Sequence, residues 1–212
     1  MTWLADSGLA AVVAGHRACI LGAAPGSDAL AAFFARCHGA LESAGENHLA
    51  APTESAPPVT GQIPAALAAA RDTGDSGLIA LADAFAALAG RLTWRRREGL
   101  EGAANFADGY ANADLIGPDG LARHNQVRLG VSLVAPGVTY PNHNHPPEEG
   151  YLVLSGGAWR QGAGPWMDHR PGQTVHNVDA LDGRLARGPV PNCQVTAVPR
   201  PGWRPDGGAA RG

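Results

Sequence analysis

Apolar residues recur at helical spacing through the first half of the chain. The segment SDALAAFFARCHGALESAG, residues 27–45, repeats them three and four positions apart, and Ser27 with Asp28 is a typical N-terminal cap. The segment SGLIALADAFAALAGRLTWRRR, residues 76–97, repeats the pattern and ends in arginines, which favour a helix C-terminus. Between them, ENHLAAPTESAPPVTGQIP is rich in Pro, Ser and Thr and indicates a loop. The pattern predicts a mainly helical region over residues 1–109.

Near residue 110 the pattern changes to short strands separated by turn residues. ADLIGPDGLARH predicts a strand, a Pro-Asp-Gly turn and a returning strand, and QVRLGVSLVAPG alternates as a strand does. Further strands are expected in EGYLVLSGG, in CQVTAV and, twice, in AWRQGAGPWMDHRPGQTVHNV. Helices followed by strands predict an α+β fold, with a β-sandwich or barrel over residues 110–200. Residues 201–212 are rich in Arg, Gly and Pro, and we expect a disordered tail there.

Composition excludes several functions. The 212 residues are 45% hydrophobic, which is enough to bury a core, and the net charge of -3 offers no basic field for nucleic acid or an anionic membrane. All 16 basic residues are arginine, so Schiff-base chemistry and a phosphate-loop lysine are excluded.

Targeting signals are weak. The three cysteines, Cys19, Cys37 and Cys193, lie far apart without a CxxC pair, which favours a reducing compartment. The start, MTWLADSGLAAVV, lacks the basic n-region of a signal peptide. No apolar run approaches the roughly 20 residues that a membrane span needs. We therefore expect a cytoplasmic protein that does not engage a membrane.

Candidate chemistry is concentrated in GVTYPNHNHPPEEGYLVLSGG, residues 137–157. On a strand, His143 and His145 share a face. After the Pro-Pro turn, Glu149 and Tyr151 have a common parity and can rejoin that face, whereas Glu148 points away. Two imidazoles and a carboxylate suit Fe, Mn, Ni, Co or Zn and leave coordination positions open for substrate. The segment predicts a divalent transition-metal site.

This segment resembles the first motif of the cupin superfamily, which implies a double-stranded β-helix, or jelly-roll, barrel. The matching residues are Gly137, His143, His145, Glu149 and Gly156. The second cupin motif supplies a further histidine after a Pro-Gly turn, and RPGQTVHN offers His176. The resemblance thus implies a shell of His143, His145, Glu149 and His176. His176 is otherwise a polar strand residue near the site, and His169, which precedes the turn, is more simply a residue outside it.

Residues 105–178 resemble the cupin-type dimethylsulfoniopropionate (DMSP) lyases, with Tyr140 before the histidine pair and Tyr151 after the glutamate. The resemblance implies a metal-dependent carbon–sulfur lyase that removes a proton α to the substrate carboxylate and releases dimethyl sulfide and acrylate. Tyr151 is the expected base, with Tyr140 assisting or substituting. A small sulfonium substrate favours an aromatic wall, for which Tyr140, Trp159 and Trp166 are candidates. Cupins commonly pair through their sheets, which implies a homodimer.

The chain departs from this family where its later metal histidine is expected. That position is Gly183, followed by a tail rich in Arg, Gly and Pro. Three interpretations stay open: His176 replaces the ligand, the site works with fewer ligands, or an altered tail has removed activity. The competing functions are another metal-dependent cupin enzyme, such as an isomerase or Fe(II) dioxygenase, and a catalytically impaired cupin that binds a small ligand.

Overall fold

The computed structural model describes residues 5–23, 26–42, 46–47, 56–97, 106–124, 126–140, 148–161, 164–177 and 192–197, with backbone only for 46–47 and 192–197. The predicted tail, residues 201–212, lies outside these ranges, as do His143, His145 and Gly183. No helix within the described ranges is long and apolar enough to cross a membrane.

Helices occupy the first part of the chain. They are α1 (Ser7–Gly22), α2 (Asp28–Leu41), a 3-10 helix (Pro58–Gln62), α3 (Ile63–Arg71), α4 (Ser76–Ala89) and the single turn α5 (Phe106–Gly109). A side-chain oxygen caps each of three N-termini: Asp6 accepts from two backbone amides of α1, Ser27 from Leu30 N and Asp75 from Leu78 N. The loop predicted over residues 46–64 is wrong in part, because it contains the first strand, the 3-10 helix and the start of α3.

Nine strands follow or interleave with these helices in the described ranges: β1 (Glu46–Asn47), β2 (Tyr110–Ile116), β3 (Ala122–Arg123), β4 (Arg128–Val134), β5 (Glu149–Val153), β6 (Gly157–Trp159), β7 (Met167–His169), β8 (Thr174–Asn177) and β9 (Asn192–Ala197). Seven form one sheet in the order β1-β3-β2-β4-β9-β5-β8, and β6 pairs with β7 in a separate hairpin. The fold therefore combines helices with two sheets. The described ranges show no closed barrel.

The sheet is mixed rather than purely antiparallel. Strand β9 runs parallel to both of its neighbours, β4 and β5, and fills the space between them. The predicted return after the Pro-Asp-Gly turn also differs, because β3 meets β2 in parallel through the single pair Ile116 and Ala122. Strand order thus depends on contacts between residues far apart in the chain.

Helices and sheet share one hydrophobic core. Alternate residues of β4, predicted to form an apolar face, are buried, and the residues between them are buried too. This burial on both faces places β4 inside the molecule rather than at its surface. A second, smaller cluster contains Phe106, Tyr110 and Val138, with Tyr140 packed against it. This second cluster lies beside the candidate site.

Candidate active site

Strand β5 presents different residues on its two faces. It pairs with β8 so that Glu149 opposes Asn177, Gly150 opposes His176, and Tyr151 opposes Val175. Directly opposed residues of an antiparallel pair point to the same side of the sheet. Glu149 and Tyr151 therefore share one side, called here the front face. Gly150 and His176 share the other, called the back face.

A buried carboxylate and a phenol meet on the front face. Glu149 is only 2% exposed, and the Tyr151 hydroxyl donates to Glu149 Oε2 at 2.5 Å. Burial, followed by the Glu149 charge and this hydrogen bond, raises the pKa of Tyr151 well above its ordinary value. With the Glu149 carboxylate beside it, Tyr151 is a neutral phenol. A cation bound to Glu149 would offset the Glu149 charge and its hydrogen bond, which are two of the causes that raise the pKa of Tyr151.

The other two tyrosines of the chain lie at the same place. The Tyr110 and Tyr140 rings are 4.8 Å apart, centroid to centroid, in an edge-to-face contact. Phe106 stacks on Tyr110 at 5.0 Å and meets Tyr140 edge-on at 5.1 Å. The Glu149 charge opposes ionisation of Tyr110, and both Tyr110 and Tyr140 raise the pKa of Tyr151. We call Tyr110, Tyr140 and Tyr151 the tyrosine cluster.

An arginine completes the cluster on the side of Tyr140. Arg97 Nη1 donates to the Tyr140 hydroxyl at 2.6 Å. Burial raises the pKa of Tyr140 well above its ordinary value, the neighbouring Tyr110 adds to this rise, and the Arg97 charge opposes it. Arg97 thus favours the ionised form of Tyr140, although burial outweighs it.

The back face holds a separate ionic network. Glu148 accepts from Arg36 Nη2 at 2.8 Å through one oxygen and contacts His176 Nε2 at 2.9 Å through the other. The His176 ring also lies 5.7 Å from the Phe33 ring of α2. We call Arg36, Glu148 and His176 the back-face network. The structure brings His176 to Glu148, not to Glu149, and its role as a metal ligand stays a prediction.

Helix α2 can approach the back face closely because residue 150 is glycine. A Cβ at Gly150 would lie 2.6 Å from Phe33 Cε1 and 2.9 Å from Phe34 Cζ. Real side chains do not come that close, so the aromatic rings occupy the space that any other residue would fill. The helix supports β5 from behind while the front face carries the polar groups.

The two glycines that bound the cupin-like motif have left-handed backbone angles. Gly137 has φ 74° and Gly156 has φ 83°. Other residues rarely adopt such angles, so both positions favour glycine for conformation. Between them, the chain passes through Tyr140, leaves the described ranges for residues 141–147, and returns at Glu148. The described residues contain no group of three or more His, Cys, Asp or Glu that could hold a metal ion.

The two tryptophans proposed as a sulfonium wall lie on the β6–β7 hairpin. Trp159 meets His169 edge-on at 5.1 Å, and the Arg160 guanidinium carbon lies 5.0 Å from the centroid of the Trp166 ring. Among the described residues, Phe106 is the aromatic residue whose ring contacts both Tyr110 and Tyr140. The substrate roles of Trp159 and Trp166 stay predictions.

Comparison with known proteins identifies the family. The dimethylsulfoniopropionate lyase family matches residues 31–193, which is more than half of the chain. The chain belongs to the DMSP lyase family. It is 34% identical over 140 residues to a protein of Cereibacter sphaeroides provisionally named dimethylsulfoniopropionate lyase DddL, covering 65% of this chain and 58% of that protein. It is 36% identical over 80 residues to the DMSP lyase DddQ of Ruegeria pomeroyi, covering 37% of this chain and 40% of DddQ.

A solved structure shows the same fold. A chain among the crystal structures of the DMSP lyases RdDddP and RnDddQII superposes with a TM-score of 0.58 at 24% identity, covering 82% of this chain and 83% of the other. At this identity the likeness supports the fold alone. Because this chain spans only 58% of DddL and 40% of DddQ, their activity does not transfer to it directly.

Reasoning from the sequence did not name three residues of this candidate site. Phe106 lies in α5, and Tyr110 begins β2 ahead of the predicted strand. Arg97 was interpreted only as part of a helix C-terminus, although α4 ends at Ala89. One signal was available: the whole chain contains only three tyrosines, and two of them flank the metal-like motif. A third tyrosine at the start of a buried strand was therefore a candidate for the same site.

Proposed function

We propose that this chain is a divalent-metal-dependent lyase that cleaves DMSP to dimethyl sulfide and acrylate. The observation that carries the proposal is the Tyr151 hydroxyl, 2.5 Å from the buried Glu149 carboxylate, inside a cluster of all three tyrosines of the chain. Elimination needs a base beside a group that stabilises negative charge. A phenol paired with a candidate metal ligand meets that need.

The proposed metal ligands are His143, His145 and Glu149. Glu149 provides a carboxylate oxygen on the front face, next to a phenol. Two imidazoles and one carboxylate match the donor preference of Fe, Mn, Ni, Co and Zn. When bound, the ion supplies Lewis-acid stabilisation of the negative charge that develops on the substrate carboxylate.

His176 would join this set only after a local change. Its Nε2 contacts Glu148 on the back face, and its backbone opposes Gly150 rather than Glu149. We therefore propose the three-ligand site and treat His176 as a fourth ligand to be tested. A shell of three protein ligands is typical of catalytic metal sites, which keep positions open for water or substrate.

Tyr151 is the proposed base. Its phenolate takes the proton from the carbon α to the substrate carboxylate. The electron pair of that C–H bond forms the α–β double bond of acrylate, and the C–S electron pair leaves with sulfur as neutral dimethyl sulfide. A neutral leaving group needs no general acid. Tyr140, beside Arg97, would assist or substitute, and the faces of Phe106 and Tyr110 would receive the sulfonium by cation–π attraction.

A catalytically impaired cupin that binds a small ligand is the alternative. The observation that favours it is the engagement of His176 with Glu148, together with glycine at position 183. We also propose a cupin-type barrel, a cytoplasmic location and a homodimer, the last of which sedimentation analysis would test.

Activity measurements on metal-loaded protein test the proposal. Purified chain is loaded separately with Fe, Mn, Ni, Co and Zn and supplied with DMSP, and dimethyl sulfide is measured by headspace gas chromatography and acrylate by liquid chromatography. Tyr151→Phe should lower kcat by about 10²–10⁴-fold, as expected for a lost general base. Tyr110→Phe is the matched control and should have a smaller effect. Absence of both products with every metal would contradict the proposal.

A further inference from the structure

The three consecutive arginines at residues 95–97 have different surroundings. Arg95 pairs with Asp114 through Nη2 at 3.2 Å and also contacts Asp119. Arg96 pairs with Asp108 at 2.9 Å. The described part of the chain provides Arg97 with no carboxylate, and its partner there is the Tyr140 hydroxyl at 2.6 Å. Arg97 differs from its neighbours in presenting a guanidinium to an aromatic, polar cluster instead of to an acid.

The backbone holds Arg97 at this place. Arg95 forms an antiparallel bridge with Asn112 of β2, with backbone hydrogen bonds of 2.8 and 2.9 Å. Arg97 follows this bridge by two residues, and Tyr110 precedes it by two on β2. The Arg97 charge accordingly acts on both Tyr110 and Tyr140. Upstream, the Trp94 indole donates to Ala89 O at 3.1 Å and fixes the segment to the end of α4.

Two charged side chains of opposite sign contact the tyrosine cluster. The Arg97 guanidinium contacts Tyr140, and the Glu149 carboxylate accepts from Tyr151. The Tyr110 ring lies 4.8 Å from the Tyr140 ring, centroid to centroid. An anionic group of a ligand is attracted to the Arg97 guanidinium, and a cationic group is repelled from it. The remaining N–H donors of a guanidinium fit the two oxygens of a carboxylate in a planar, bidentate pair.

We propose that Arg97 binds the carboxylate of the substrate and thereby determines specificity for β-sulfonium carboxylic acids over uncharged analogues. The inference rests on the proposed function for the identity of the substrate. Arg97 holds the carboxylate end, so the sulfonium end is directed away from it, towards the aromatic faces of the cluster. The α carbon, one bond from the carboxylate, is then held inside the cluster, where the proposed base lies.

Kinetics of Arg97 variants test the proposal with two substrates. Arg97→Gln and Arg97→Lys are compared with wild type using DMSP and its carboxamide, which keeps the sulfonium and lacks the negative charge. Removing a charged hydrogen bond should raise KM for DMSP by about tenfold to a hundredfold in Arg97→Gln, with little change for the carboxamide. Arg97→Lys keeps the charge but not the planar guanidinium, so its KM for DMSP should lie between those of wild type and Arg97→Gln. Arg96→Gln is the matched control and should leave both KM values unchanged.

Several outcomes would overturn the inference. Equal changes for acid and carboxamide in Arg97→Gln would show a role in folding or in positioning Tyr140 alone. The same change in Arg96→Gln would show a general effect of surface charge.

A binding measurement separates this inference from the proposed function. Acrylate is titrated calorimetrically into metal-loaded wild type and Arg97→Gln. If wild type releases no dimethyl sulfide yet binds acrylate at least tenfold more tightly than Arg97→Gln, the anion site stands and the lyase proposal fails. If wild type is an active lyase and both proteins bind acrylate equally, or neither binds it, the lyase proposal stands and the Arg97 inference fails. An inactive wild type with no difference in acrylate binding overturns both.

Discussion

The two faces of β5 divide chemistry from support within a few consecutive residues. The front face carries Glu149 and Tyr151, whose oxygens meet at 2.5 Å inside the tyrosine cluster. The back face carries Gly150, beside the Phe33 and Phe34 rings of α2, and the His176–Glu148 pair next to it. Because side chains alternate along a strand, Glu149, which could hold a metal, adjoins Gly150, which lies against the helix. The site and its support cannot vary independently.

This coupling makes the register of β5 important. A slip of one residue would exchange the two faces, moving Glu148 to the front and Glu149 against the apolar rings of α2. Gly150 opposes such a slip, since any neighbouring residue placed there would bring a side chain into Phe33 and Phe34. Close packing behind the strand thus fixes which glutamate faces the tyrosines.

Neutralising each glutamate separately tests whether the two faces of β5 differ in function. Glu149→Gln should lower metal affinity by more than about 100-fold, because losses of 10–100-fold are typical when only an outer partner of a ligand is removed. Glu148→Gln, which alters only the back-face network, should lower metal affinity by less than about tenfold, below the range for an outer partner of a ligand. Isothermal titration with the activating metal measures both. Equal losses in the two variants would show that the faces are not functionally distinct.

Low pH should destabilise the packing of α1 against α2. His16 of α1 and His38 of α2 are buried, with ring centroids 5.2 Å apart. Burial, with a contribution from His38, lowers the pKa of His16 to about 3. Burial, with a contribution from Arg17 and against that of Glu42, lowers the pKa of His38 to about 4. The unfolded chain binds protons at both positions below about pH 6.5 while the folded chain does not, so stability falls as pH drops.

Between pH 7.5 and 5.5, this pair should reduce the free energy of unfolding by about 2–3 kcal/mol. Urea denaturation at the two pH values measures the loss, and His38→Leu should remove about half of it. A pH dependence that is identical in the variant and in wild type would show that His38 is not responsible.

Filling the space behind β5 should have a smaller effect. Gly150→Ala places a methyl group against two aromatic rings and should destabilise the fold by about 1–3 kcal/mol, as overpacking typically does. Gly39→Ala in α2 is the matched control: nothing lies within 4 Å of its added Cβ, and the change should stabilise the helix by about 0.5–1 kcal/mol. Thermal unfolding of both variants should therefore shift in opposite directions. A shift of the same sign would indicate that α2 does not pack closely on β5.

The smallest effect is expected from the ion pair between α2 and the back face. Arg36 and Glu148 meet at 2.8 Å, but the Arg36 side chain is 55% exposed. Exposed pairs contribute about 0.2–1 kcal/mol, so Arg36→Gln should destabilise the fold by less than about 1 kcal/mol. Arg71→Gln, which breaks the similar surface pair with Asp83, is the comparison. If urea denaturation shows a much larger loss for Arg36→Gln than for Arg71→Gln, the ion pair, and not aromatic packing, attaches α2 to the strand.

Local patterns predicted more of the fold than of the site. The helical spacing indicated α2 and α4 and the alternation indicated β4, because both signals depend on neighbouring residues. Helix α1 lies within the region predicted to be mainly helical, but its bounds were not predicted. In α3 the proline at its start looked like a loop residue, although proline is favoured in the first helical turn.

The features of the site that the sequence did not predict depend on contacts between residues far apart in the chain. The pairing of Glu149 with Tyr151 follows from two-residue spacing and was accessible to the pattern. His176 lies on β8, so its position depends on the register between β8 and β5. The turns between the two strands determine that register. Arg97 and Tyr140 are 43 positions apart, and Arg95, two residues before Arg97, is bridged to Asn112 of β2. No spacing rule reports such a contact.

The parallel strand β9 also has a consequence for biosynthesis. It is the last described strand to leave the ribosome, yet it lies between β4 and β5 at the middle of the large sheet. A nascent chain can form its helices early, but it cannot join those two edges until Ala197 has emerged. Until then both edges are open to other chains, so slow translation or a premature stop before residue 192 should expose the protein to aggregation.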